Sequence, residues 1–130
     1  MMIELENIEL FKDLTFLELE IGSFDLHNDY ECSNISLSEV DNSLKSLFEP
    51  GDKHADKLCL VFQKTSIKKF DFFLNRTLDS STINSIYRGR FEKELGLQEY
   101  SASGEGYYYI EFEQGDKIEL LAEKIIVLQI

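Results

Sequence analysis

An α+β fold, mostly antiparallel β-sheet with one or two helices, is the class this sequence predicts. Three observations carry it: a period-two stretch near the N-terminus, a capped helical stripe after it, and an aromatic hairpin signature near the C-terminus. In residues 15–21, Leu17, Leu19 and Ile21 fall on one face while Glu18 and Glu20 fall on the other. That alternation is the mark of a half-buried antiparallel strand.

The helical stripe comes next. Ser36 and Glu39 have capping-box spacing, Leu37, Val40, Leu44, Leu47 and Phe48 share one helical face, and Pro50-Gly51 provides a stop. The spacing predicts a helix over 37–48. Leu58-Cys59-Leu60-Val61-Phe62 is a short apolar run of strand formers, and residues 67–74 add Phe70, Phe72 and Phe73 in a second strand-like stretch. Residues 81–95 read two ways. Ile83, Tyr87, Phe91 and Leu95 recur every four positions, yet Gly89 in a helix interior would cost about 1 kcal/mol. Helix and irregular strand both stay open there.

The C-terminal unit is better defined. Tyr107 to Phe112 is aromatic and strand-forming, Gly115-Asp116 suits a tight reversal, and Ile118 to Leu121 runs back, which predicts a β-hairpin. Ile125 to Leu128 supplies a last apolar strand, expected to be central.

One domain over residues 1–130 follows from the size, from a hydrophobic content of 43 %, and from a single proline with no linker or repeat. No apolar run approaches the roughly 20 residues of a membrane helix. Met1 to Glu6 lacks the basic and apolar segments of a signal peptide, so a cytoplasmic address is expected. Cys32 and Cys59 have no metal-binding spacing and are expected to be reduced, buried thiols.

Charge is uneven. Of 25 acids and 13 bases, residues 1–41 hold eleven acids and only Lys12, a net of −10, while the rest of the chain nearly balances. Such a lobe repels nucleic acid and draws basic surfaces. Catalytic signatures are sparse. His54 lies in a polar loop sequence. His27, Asp29 and Glu31 would share a face only if 27–31 were a strand, which is the basis for a small metal-dependent enzyme as an alternative. Ser103-Gly104-Glu105-Gly106 precedes a strand rather than a helix and reads as a turn, not a phosphate loop. Arg88-Gly89-Arg90 is the basic-aromatic cluster, expected to pair with the chain's own carboxylates. No catalytic, cofactor or metal residues are therefore assigned, and a binding protein, not an enzyme, is expected. The stretch 23–31 combines Phe24 and Tyr30 with carboxylates, a composition suited to gripping a basic cleft. The predicted partner-binding residues are Glu18, Glu20, Asp25, Asp29, Tyr30 and Glu31.

Tyr87-Arg88-Gly89-Arg90-Phe91, then Gly106-Tyr107-Tyr108-Tyr109-Ile110-Glu111-Phe112 and Ile118-Glu119-Leu120-Leu121-Ala122, resemble the C-terminal third of small acidic immunity proteins of bacterial contact-dependent inhibition and related polymorphic toxin systems. The resemblance implies a cytoplasmic protein that binds one cognate toxin domain, often a nuclease with a basic surface, and occludes its active site. It carries over no binding residues. A nucleic-acid mimic that sequesters a DNA-binding protein is the other alternative.

Overall fold

Thirteen strands and no helix make up the described residues of the computed structural model, which are 2–6, 8–71, 82–93, 96–98 and 105–130. In chain order they are β1 (Met2–Leu5), β2 (Phe16–Leu19), β3 (Gly22–Asp25), β4 (Tyr30–Ser38), β5 (Ser43–Pro50), β6 (Leu58–Gln63), β7 (Ser66–Asp71), β8 (Ile83–Gly89), β9 (Phe91–Lys93), β10 (Gly96–Gln98), β11 (Gly106–Phe112), β12 (Lys117–Ala122) and β13 (Lys124–Gln129). The predicted α+β class is thus corrected to all-β, with every strand pairing antiparallel.

Two sheets dominate. One runs β1-β13-β6-β5-β4, the other β7-β12-β11-β8, and β2-β3 and β9-β10 form separate hairpins. Their inward residues meet in one core: Leu44, Phe48, Leu58, Leu60, Phe62, Ile125 and Val127 from the first sheet; Ile83, Ile86, Tyr108, Ile110, Phe112, Ile118, Leu120 and Ala122 from the second. Phe62 and Tyr108 join the sheets edge to face at 5.8 Å. The β2-β3 hairpin adds Leu17 to that core, and the turn after it adds Leu26. Ile21, expected on the same face as Leu17 and Leu19, sits instead in the turn between β2 and β3.

The predicted helix over 37–48 is absent. Those residues close the hairpin of β4 and β5, with Asn42 in a left-handed conformation (φ 51°) and Val40 98 % exposed at the tip. The reason is tertiary. As a strand, β5 alternates Leu44, Ser46 and Phe48 inward and pairs with β6 along five residues, burying more than one helical stripe could. Ser36 and Glu39 have capping-box spacing by coincidence, and the hydroxyl of Ser43 bonds Asp41 within the turn. The second doubtful stretch resolves the same way: residues 83–89 are strand β8. Gly89 is required there, since a Cβ would stand 2.2 Å from Cε2 of Tyr109, whose ring lies over it.

The C-terminal hairpin forms as expected, from Gly106 to Ala122. Its turn is closed by the amides of Gly115 and Phe112, which donate to the carbonyls of Phe112 and Asp116, and Gly115 takes φ 94°. β13 lies inside its sheet between β1 and β6, as expected. The predicted strand 67–74 is described only as far as Asp71, and the turn at Ser103-Gly104 lies outside the described residues. Cys32 and Cys59 are free and buried, Cys32 in the shared core and Cys59 on the outer face of the first sheet. Burial pushes the Cys32 thiol up to about 12 and raises that of Cys59. Among the described residues no helix is long and apolar enough to cross a membrane.

Candidate functional site

The turn between β3 and β4 and the loop between β5 and β6 meet because Tyr30 and Pro50 are register partners. The amide of Gly51 donates to the carbonyl of Asp29 at 3.0 Å and locks the two segments together. Between them lies an open groove of about 410 Å³, lined by Ser23, Phe24, Asn28, Asp29, Tyr30, Pro50, Gly51, Asp52 and Ala55. Its lining holds two carboxylates and two aromatic rings, and no Lys, Arg or His.

Local chemistry shapes both walls. Asp25 is the organiser of the first: its Oδ1 accepts from the amides of His27 and Asn28 at 3.1 and 3.0 Å, and its Oδ2 accepts from Asn28 Nδ2 at 2.8 Å. An Asx-type turn of this kind is what Asp offers a reversing backbone. The same bonds, that from the Asn28 side chain first, hold the Asp25 carboxyl below its usual range. The amide of Asp29 completes the turn by donating to the carbonyl of Asp25. In the second wall, Asp52 Oδ1 accepts from the amide of His54 at 3.0 Å. Tyr30 is 8 % exposed, and its phenol is pushed up by burial and then by the charges of Asp29 and Asp56.

The expected partner-binding residues are thus only partly gathered. Asp29 and Tyr30 line the groove. Asp25 lies behind it as the turn's anchor, and Glu18 is the cross-strand neighbour of Ser23, which lines it. Glu20 is exposed in the turn from β2 to β3. Glu31 is exposed on β4, directly across from Glu49, which pairs with Lys57 at 2.9 Å. Tyr30 contributes to the core as well as to the groove floor. Asp52 is added by the fold, and Phe24, already noted in the stretch 23–31, joins it in the lining. The polar Gly51-Asp52 turn was visible in sequence, but its place opposite residues 23–30 was not.

The metal triad does not assemble. His27 and Asp29 lie in the turn before β4, not on a strand, and no group of three or more metal-ligating side chains occurs among the described residues. His27 is used otherwise. Its Nδ1 donates to the carbonyl of Ile83 at 2.6 Å, and its Nε2 lies 3.9 Å from Glu113, which ties the turn to β8. The Arg88-Arg90 cluster also has a defined setting: Arg88 Nη1 donates to the carbonyl of Ile8 at 3.0 Å, and Arg90 lies over the Phe11 ring at 5.9 Å.

Fold and groove together define an all-β protein with an acidic, aromatic cleft where two loops meet. No protein-family model, curated protein or solved structure matches the chain.

Proposed function

We propose that this chain is an immunity protein that binds a cognate bacterial toxin domain through its acidic groove and blocks the toxin's active site. The observation that carries the reading is the groove itself: Asp29 and Asp52 face a space walled by Phe24 and Tyr30, with no cation in the lining. An Arg or Lys of a partner would find charge-assisted hydrogen bonds and a ring to pack on in one place. Glu18, the cross-strand neighbour of Ser23, and Glu31, next in the chain to Tyr30, add negative charge near the groove. A toxin that cleaves nucleic acid needs a basic cleft for phosphates, and long-range attraction between opposite fields speeds capture.

The test is co-purification from the producing cells at low and moderate salt, followed by an activity assay of whatever is held. The expected result is one basic protein, bound stoichiometrically, whose toxic activity the pure chain abolishes at equimolar ratio. Recovery of a general DNA-binding protein, or of a partner whose activity is untouched, would overturn the reading.

A further inference from the structure

The outer face of the four-stranded sheet carries an aromatic row that plays no part in the acidic groove. Register sets the row: Lys69 on β7, Glu119 on β12, Tyr109 on β11 and Tyr87 on β8 are successive cross-strand neighbours. The segment after β1 extends it. The amide of Phe11 donates to the carbonyl of Arg88 at 2.7 Å, and this places the Phe11 ring 6.0 Å from that of Tyr87. Tyr87 and Tyr109 stack at 5.1 Å with planes 20° apart, and Tyr107 stands edge-on to Tyr109 at 4.9 Å. Because Tyr109 also covers Gly89, its ring is held in place before any ligand arrives.

This face does not serve the core, which takes Tyr108, Ile110 and Phe112 from the other side of β11. Phe11 is 60 % exposed, and Tyr87 and Tyr109 are half-buried. Beside the rings lies a depression of about 250 Å³ lined by Tyr87, Tyr109, Lys69, Lys117, Glu111 and Glu119. Its charges balance, since each lysine stands directly across from an acid: Lys69 from Glu119, and Lys117 from Glu111. A site with no net charge has little to offer a phosphate, a nucleic acid or a metal ion. It offers alternating donors and acceptors next to aromatic faces. Hydroxyl groups both donate and accept, and the electron-rich face of an aromatic ring attracts the positive edge of C–H bonds.

We propose that this face binds a neutral oligosaccharide, with one sugar ring seated against Tyr109 and Tyr87 between Lys69, Lys117, Glu111 and Glu119. The depression is smaller than the roughly 300 Å³ at which small-molecule sites usually begin, so it takes one ring of a longer chain.

Maltotetraose, cellotetraose and triacetylchitotriose are the probes, each titrated into the full chain while the tyrosine ring signals are followed by NMR. At least one sugar is expected to shift the Tyr87 and Tyr109 signals saturably, with Kd on the order of 1 mM. Neutral ligands predict no change in that Kd between about 0.05 and 0.5 M salt. Tyr87→Ala is expected to weaken binding at least about tenfold, Tyr87→Phe to retain it, and Asp52→Asn to leave it unchanged. If Tyr87→Ala fails to fold, the variant Lys117→Ala with Glu111→Ala, at the exposed Lys117 and half-buried Glu111, reads out the same site. Absence of saturable shifts with all three sugars at about 10 mM would overturn the proposal. So would a face that binds poly-glutamate in a salt-sensitive way and no sugar, which marks it as a docking surface for an acidic protein.

Discussion

The acidic groove and the aromatic row are built in opposite ways. Turns carry the groove's charges: Asp25 accepts from the amides of its own turn, Gly51 bonds Asp29, and Asp29 and Asp52 project from loops beside Phe24 on β3 and Tyr30 on β4. Strands make the row: Tyr87 and Tyr109 are register partners, and directly behind them Ile86 and Ile110 fill the core. A loop-built surface is free to change its charge without disturbing the sheets. A strand-built one is bound to the core through a pleat that alternates between the two faces. Mutation and pH should therefore separate the two regions.

The largest effect is expected behind the row. Ile110→Ala removes a buried core side chain and should cost about 2–5 kcal/mol, measured by urea unfolding; it should also disturb the tyrosine ring signals of the outer face. Gly89→Ala comes next. Its new Cβ must displace the Tyr109 ring, which predicts a loss of about 1–3 kcal/mol and broken Tyr87–Tyr109 stacking, visible by near-UV circular dichroism. A fully stable Gly89→Ala with an unchanged spectrum would break the link between row and sheet.

Titration distinguishes the regions by direction. Burial raises Tyr108, and burial followed by Glu119 raises Tyr107, above their ordinary 10.0; Cys32 rises from 9.0 to about 12. Folded protein keeps these protons longer than unfolded chain does. The stability they contribute is complete below pH 9 to 10 and is lost as pH climbs through the raised values. Asp25 behaves in reverse. Its lowered carboxyl contributes stability above its ordinary 3.8 that disappears as pH falls below it. Alkali should thus strike the sheets first and acid the groove turn, as hydrogen exchange of β11 and of residues 25–29 would report.

Smaller effects belong to the groove. Asp25→Ala removes the turn's side-chain acceptor and should cost about 1 kcal/mol, with faster amide exchange at His27 and Asn28. Asp29→Lys with Asp52→Lys should leave stability within about 0.5 kcal/mol. The same pair should slow association with a basic partner at low salt, by stopped-flow, far more than at high salt. Unaltered association kinetics would remove the groove as the binding site.

Legibility in the sequence followed the range of the forces. The hairpin of β11 and β12 could be read because its signals are local: a run of aromatic strand formers, Gly115 at the one position that takes φ 94°, and an apolar return strand. The strands β2, β6 and β13 were readable for the same reason. The helix over 37–48 was misread because Leu37, Val40, Leu44, Leu47 and Phe48 satisfy a helical period. Only the presence of β6 beside β5 makes the strand the better burial. Tyr30 posed a similar problem, since a tyrosine in an acidic stretch has the composition of a contact residue and also the size of a core residue.

Residue order and composition determined the acidic balance of residues 1–41, the free thiols and the strand-forming runs, because each depends on neighbours a few positions apart or on a simple count. Tertiary structure decided the rest. Asp29 and Asp52 face one groove, and Lys69, Glu119, Tyr109 and Tyr87 form one row, only because antiparallel register brings together residues 10 to 50 positions apart. Register is chosen by burial of a whole sheet face, and no local stretch of the chain carries that information.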